Sequence, residues 1–306
     1  MKQEKIHILS LLAALVASVI FGMSFMFSKL ALAVAQPSVL LAFRFTVAVA
    51  AMTLVNALAG KLRGRKLFAF NLYHKPVGRL VLLGLVQPVA YFIFENYGIL
   101  YTSSAVAGTI IAAVPVCCIL MDVLVLHERV TVKQVLCALG AVGGVALISA
   151  GGAVMISALG LLFLLLTMLS DTVYYGVSHS AAKKFTPFEM TYVMFLVGMV
   201  VFVPVALLQA GGPTSPLILQ PAQNGDFWLA VVYLGILSSG VAYGLLNFAN
   251  SHLTVTEASL FSNVTTVVSV LAGVVLLKET FSLWQALGVV LILVCVFVAN
   301  VSGKKE

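Results

Sequence analysis

Leu126-His127-Glu128-Arg129-Val130-Thr131-Val132-Lys133-Gln134 returns later in the chain as Leu277-Lys278-Glu279-Thr280-Phe281-Ser282-Leu283-Trp284-Gln285. Glu279 follows Glu128 by 151 residues in a chain of 306. Both copies are polar turns set in almost continuous apolar sequence, so each half reads as a packet of membrane-spanning helices. The two packets are expected at 1–152 and 153–306.

Outward from these turns, 62% of residues are hydrophobic, 9% are charged and the mean hydropathy is +1.14. A soluble globule is excluded, because such a surface needs lipid around it. The net charge of +7 does not point to nucleic acid, since the basic residues sit in short clusters between apolar runs, as topogenic charges do. Cys117, Cys118, Cys137 and Cys295 lie inside apolar runs with no metal-ligand spacing, and read as small core hydrophobes. No cofactor is implied. The basic start and Ala33-Val34-Ala35 imitate a cleaved signal, but the apolar run 6–27 is longer than a signal core of roughly 7–15 residues and suits a span of about 20.

Apolar windows of about 20 residues fall at 8–30, 37–58, 78–97, 102–126, 132–150, 157–179, 187–209, 227–249, 254–277 and 281–301. The expected fold class is therefore an all-α membrane protein with ten transmembrane helices, five per half. With both termini cytoplasmic, fourteen of the seventeen Lys and Arg fall on inner segments; Lys278 alone lies in an outer loop, and Lys29 lies near an outer helix end. Basic residues of short loops stay on the cytoplasmic side, so this bias selects that threading. The connector 210–226, rich in Gly and Pro, reads as an exposed outer loop. An odd number of spans per packet inverts the second relative to the first, an arrangement common among alternating-access carriers.

The chain resembles the drug/metabolite transporter superfamily, and within it the EamA-type transporters. The resemblance rests on Phe21-Gly22-Met23-Ser24-Phe25, Arg44-Phe45, Tyr101-Thr102-Ser103-Ser104-Ala105, Pro115, and the Leu-x-Glu turn with its downstream Gln and Gly. It covers essentially the whole chain, and it implies two inverted five-helix repeats and export more often than uptake.

Ionisable groups at bilayer depth are costly, and those present usually face a water-filled cavity or another charge. Thr167, Asp171, Tyr174, Tyr175 and Ser178 fall on one face of their helix. Asp171 is the candidate for proton coupling; the alternative is an acid that locks helices together. Gln87, Tyr91 and Glu95 match Ser239, Tyr243 and Asn247 at a constant shift of 152 residues, each set at i, i+4, i+8. These stripes are candidates to line a shared cavity and touch substrate, with interhelical hydrogen bonding as the alternative. Arg44 is a candidate counter-charge for Glu95 or for a substrate carboxylate, or else snorkels to the outer surface or fixes helix packing. Its counterpart is uncharged Met194, so no twofold pair of cations exists to hold a sugar phosphate. Asn263 is a further candidate. Glu128 and Glu279 read as structural, beside Thr131 and Ser282 as helix caps; Asp122, Glu189 and Glu257 read as water-reachable groups at inner helix ends. Small residues four apart, Ser104-Gly108-Ala112, Gly140-Gly144 and Ala258-Ser262-Thr266, are expected at close helix contacts.

These observations point to a secondary transporter of a small organic, amino-acid-like or drug-like compound, probed below against two rivals. An intramembrane enzyme lacks a His-Glu-x-x-His motif to support it, and a passive channel is disfavoured by the inverted repeat. The expected partners are a small-molecule substrate and the lipid bilayer, with no nucleic acid. The expected location is the cytoplasmic membrane.

Overall fold

The fold follows from caps and breakers at the ends of apolar runs. A computed structural model describes residues 2–63, 72–73, 75–114, 117, 132–150, 157–253, 261–280 and 282–302. In it α1 is Lys2–Leu32, α2 Pro37–Arg63, α3 Gly78–Tyr101, α4 Ser104–Ile111 and α5 Val132–Ala150. In the second half α6 is Ala158–Ala182, α7 Pro187–Ala210, α8 Gly225–Asn250, α9 262–276 and α10 Leu283–Ser302. No strand occurs among the described residues. Among the described residues six helices, α1, α2, α3, α6, α7 and α8, are long and apolar enough to cross a bilayer.

The starts are set by side chains that take up the free N–H groups of a first turn. Ser103 accepts from Val106 N at 3.1 Å to start α4, and Asn224 accepts from Phe227 N at 3.0 Å to start α8. Two capping boxes occur. Thr186 and Glu189 exchange bonds at 3.2 and 2.9 Å to start α7, and Ser282 and Gln285 do so at 3.2 and 2.9 Å to start α10. Helix α7 stops at Gly211, whose φ of 78° is the left-handed conformation that glycine adopts without strain. The connector after it is not bare loop: Ser215 and Pro216 start a short helix, Pro216–Ala222.

Helix α5 packs on α10, α2 on α7, α3 on α6, and α1 on both α8 and α9; α2 also meets α8, α3 meets α7, and α4 meets α9. Several of these seams need glycine, as two of them illustrate. A Cβ at Gly108 would lie 1.8 Å from Ser269 Oγ across the α4–α9 seam, where Thr266 Oγ1 donates to Gly108 O at 2.9 Å. A Cβ at Gly144 would lie 2.6 Å from Ile292 Cγ1 between α5 and α10. Small residues thus let these backbones approach closely, as the spacing predicts. Outside the bundle, Leu54, Leu208, Leu229 and Phe297 are exposed, a surface that water would not tolerate and lipid covers. Glu128, Pro115, Thr131, Asp122, Glu257 and Ala258, and the side chain of Ser262, lie outside the described residues.

Candidate functional site

Helix α3 does not run straight through the bundle. At its middle Gln87 leaves helical geometry (φ −144°, ψ 114°) and Pro88 brings no N–H to the ladder, so 85–90 forms a widened turn. Broken backbone at membrane depth persists where protein or cavity groups satisfy it. Here Ser170 Oγ of α6 donates to the carbonyl of Val86 at 2.8 Å. Helix α8 carries its own widened stretch, Tyr233–Ala242. Between these interruptions lies a cavity of about 40 Å³, lined from α1 by Ser18, Phe21, Ser24 and Phe25, from α2 by Arg44, from α3 by Gln87, Tyr91, Phe92 and Glu95, and from α6 and α8 by Asp171, Tyr175 and Tyr243.

Seven sequence-predicted residues therefore converge: Arg44, Gln87, Tyr91, Glu95, Asp171, Tyr175 and Tyr243. Their geometry is specific. Arg44 is 1% exposed, so it does not snorkel to the outer surface. Its Nε donates to Ser239 Oγ and its Nη2 to Ser238 Oγ, both at 3.0 Å, and its guanidinium lies 4.0 Å from the Phe92 ring centroid. That ring helps to hold a buried cation that has no carboxylate within ion-pair distance among the described residues. Gln87 Nε2 donates to the Tyr243 hydroxyl, and Tyr91 OH donates to Glu95 Oε1 at 3.3 Å. Three buried polar atoms in this ring have no partner among the described residues: Arg44 Nη1, Gln87 Oε1 and Glu95 Oε2. Buried polar atoms are rarely left so, and these three share one cavity.

The other candidates are elsewhere. Ser239 serves Arg44. Asn247 does not line the cavity: its Oδ1 accepts from Tyr174 OH at 2.9 Å and Ser178 Oγ at 3.0 Å, while its Nδ2 donates to Thr191 Oγ1 at 2.9 Å. This is a satisfied hub joining α6, α7 and α8, the interhelical alternative that the stripe left open. Tyr174 belongs to it, with its ring edge-on to Tyr243. Asn263 is half-buried on α9 outside the lining.

Glu189, read as a water-reachable group, and Glu279, read as a structural group of its own turn, both have long-range partners. Glu189 is 1% exposed, and its carboxylate accepts from Lys75 Nζ at 2.7 and 2.9 Å, which ties the segment before α3 to the start of α7. Glu279 reaches across the halves to the start of α4, accepting from Ser104 N and Ser104 Oγ at 3.0 Å and from Ala105 N at 3.1 Å. A carboxylate at a helix N-terminus is favoured by its free N–H groups and dipole. Lys29 completes this end by donating to the carbonyls of Ile99 and Thr102 at 3.0 and 3.2 Å. Sequence reading also passed over the α1 and Phe92 contributions to the cavity. Their signal was the spacing of Ser18, Phe21 and Phe25 at i, i+3, i+7.

A lipid-facing bundle of long apolar helices around a buried polar ring is the architecture of a multi-pass membrane protein. The family model of the EamA-like transporter family matches this chain twice, at residues 8–150 and 158–301, and the chain belongs to that family, one of the drug/metabolite transporter superfamily. It is thus of a transporter family and not an enzyme family. A Bacillus subtilis (strain 168) protein named an uncharacterized transporter, YcxC, is 35% identical over 299 residues, 96% of this chain and 94% of that protein. An Archaeoglobus fulgidus protein, also named an uncharacterized transporter, is 25% identical over 282 residues, 91% of this chain and 94% of its own. A solved crystal structure shares the fold, with a TM-score of 0.66 over 97% of this chain and 98% of its own at 22% identity.

Proposed function

We propose that this transporter works by alternating access on a small zwitterionic, amino-acid-like or drug-like cargo held at the central ring, in export and with proton coupling at Asp171. The observation that carries the reading is the set of unpartnered buried atoms on one cavity. Arg44 Nη1 supplies a donor for an anionic group, Glu95 Oε2 an acceptor for an ammonium, and the rings of Phe21, Phe92 and Tyr243 an apolar bed. A cavity of about 40 Å³ holds a few waters at most. Ligand sites are typically about 300–1,000 Å³, so cargo enters only when the helices around it part.

The architecture behind this reading is two inverted repeats, 1–152 and 153–306, ten spans in all, with both termini on the cytoplasmic side of the cell membrane. The helix pairings support it. Exchanging α1–α5 for α6–α10 in order turns the α3–α6 seam into α8–α1 and α2–α8 into α7–α3, while α2–α7, α4–α9 and α5–α10 map onto themselves. The family model's two matches and the paired interruptions in α3 and α8 fall in the same register.

The test is flux in proteoliposomes under an imposed pH gradient, with cargo found by thermal-shift screening of metabolite pools. Asp171→Asn is expected to transport down the cargo gradient while losing acceleration by the pH gradient. Unchanged rate and unchanged pH response would remove the coupling role. Flux that fails to saturate with cargo would favour a passive channel instead.

A further inference from the structure

A second cavity, of about 640 Å³, opens on the side of the bundle between α2, α7 and α8 and shares no lining residue with the polar ring. Its walls are apolar: Met52 and Val55 from α2, Phe188 from α7, and Ile236, Leu245 and Phe248 from α8. Two glycines of α8, Gly240 and Gly244, shape its floor. A Cβ built at Gly244 meets nothing within 4 Å, so the space above it is open rather than filled by a neighbouring helix. The volume falls within the usual range for ligand sites, and an apolar trough of this size suits a hydrocarbon chain.

One end of the trough is charged. Thr186 and Pro187 line it there, and the turn immediately before them carries exposed Lys183 and Lys184. Exposed Lys61 lies on α2 six residues past Val55, about 9 Å along the helix axis. Lys75 is already engaged by Glu189, so the nearby acid does not neutralise these three. Apolar walls ending in a basic rim complement one kind of molecule in a membrane: a lipid with an acyl chain and an anionic headgroup.

We propose that this groove is a binding site for an anionic phospholipid, its acyl chain against Met52, Gly244 and Phe248 and its headgroup at Lys183 and Lys184. The threading proposed above assigns that lipid to the cytoplasmic leaflet. Thr191 faces the groove and also accepts from Asn247, so a bound chain lies directly against the hub that ties α6, α7 and α8 together.

The experiment uses the full chain in phosphatidylcholine vesicles, with Trp228→Phe and Trp284→Phe removing the native tryptophans and Phe248→Trp placing a reporter in the groove. Brominated phosphatidylglycerol and brominated phosphatidylcholine with identical chains are compared as quenchers. The anionic lipid is expected to quench at a lower mole fraction, by roughly fivefold for each lysine engaged. Lys183→Gln with Lys184→Gln is expected to bring the two lipids together. Gly244→Leu, whose Cβ meets open space, is expected to obstruct the trough and reduce quenching by both. Equal quenching by the two lipids in the parent, or a preference that survives loss of both lysines, overturns the proposal. Failure of both lipids to quench overturns it too, and leaves a hydrophobic cargo as occupant of the groove. None of these readouts depends on flux, so a failure here leaves the reading of the central ring standing.

Discussion

Removing Lys75 tests whether the end of the bundle where α7 starts is held by an ion pair or only by helix caps. Glu189 is 1% exposed and Lys75 29%. Exposed pairs contribute about 0–1 kcal/mol, while breaking a fully buried one costs about 3–5 kcal/mol. With one partner buried and the other in partial contact with water, Lys75→Met is expected to cost about 1–2 kcal/mol. Glu189 has a second function, since its carboxylate also accepts from Thr186 N at 2.9 Å. Glu189→Gln keeps that bond, because Gln also serves in a capping box, and is expected to match Lys75→Met. Glu189→Ala loses pair and cap, and is expected to cost about 1 kcal/mol more. In detergent melts each kcal/mol corresponds to roughly 2 °C for a chain of this size. The assay is a double-mutant cycle of Lys75→Met with Glu189→Gln, expected to return a coupling of about 1 kcal/mol. Strict additivity, or a Lys75→Met variant that melts with the parent, would refute the reasoning.

Other substitutions separate stability from transport. Arg44→Met exchanges a buried cation for an apolar side chain of similar length, so its melting temperature is expected to stay within a few degrees of the parent. Flux is expected to fall roughly 10–100-fold, the value of a charge-assisted contact to cargo; retained flux with a large loss of stability would make Arg44 structural. Gly108→Ala drives a methyl into Ser269 and is expected to cost about 1–3 kcal/mol in the same melts, whereas Gly143→Ala, where a Cβ meets nothing within 4 Å, is expected to be silent.

The polar stripes were legible because polar residues recur at a fixed shift of 152, and Gln87, Tyr91, Glu95, Asp171 and Tyr243 do meet at one cavity. What the sequence withheld was azimuth and distance. Arg44 sits near a span end, and its depth along the helix matched an outward-reaching side chain. Only the packing of α2 on α8 turns it inward to Ser238 and Ser239. Asn247 had the register of a cavity residue, yet the hydroxyls of Tyr174, Ser178 and Thr191 saturate it. Glu279 and Glu189 looked local because their partners lie 175 and 114 residues away in the chain. The apolar groove left no pattern at all, since its glycines read like the ones that bring helices together.

The account's central claim is that cargo passes through the ring around Arg44, Glu95 and Asp171. Ser24 lines that ring and is buried, so Ser24→Cys, with Cys117, Cys118, Cys137 and Cys295 replaced by alanine, reports its access directly. In right-side-out and inside-out vesicles a membrane-impermeant thiol reagent is expected to modify this one position from either face. Labelling from neither face, or from one face only, would contradict the claim.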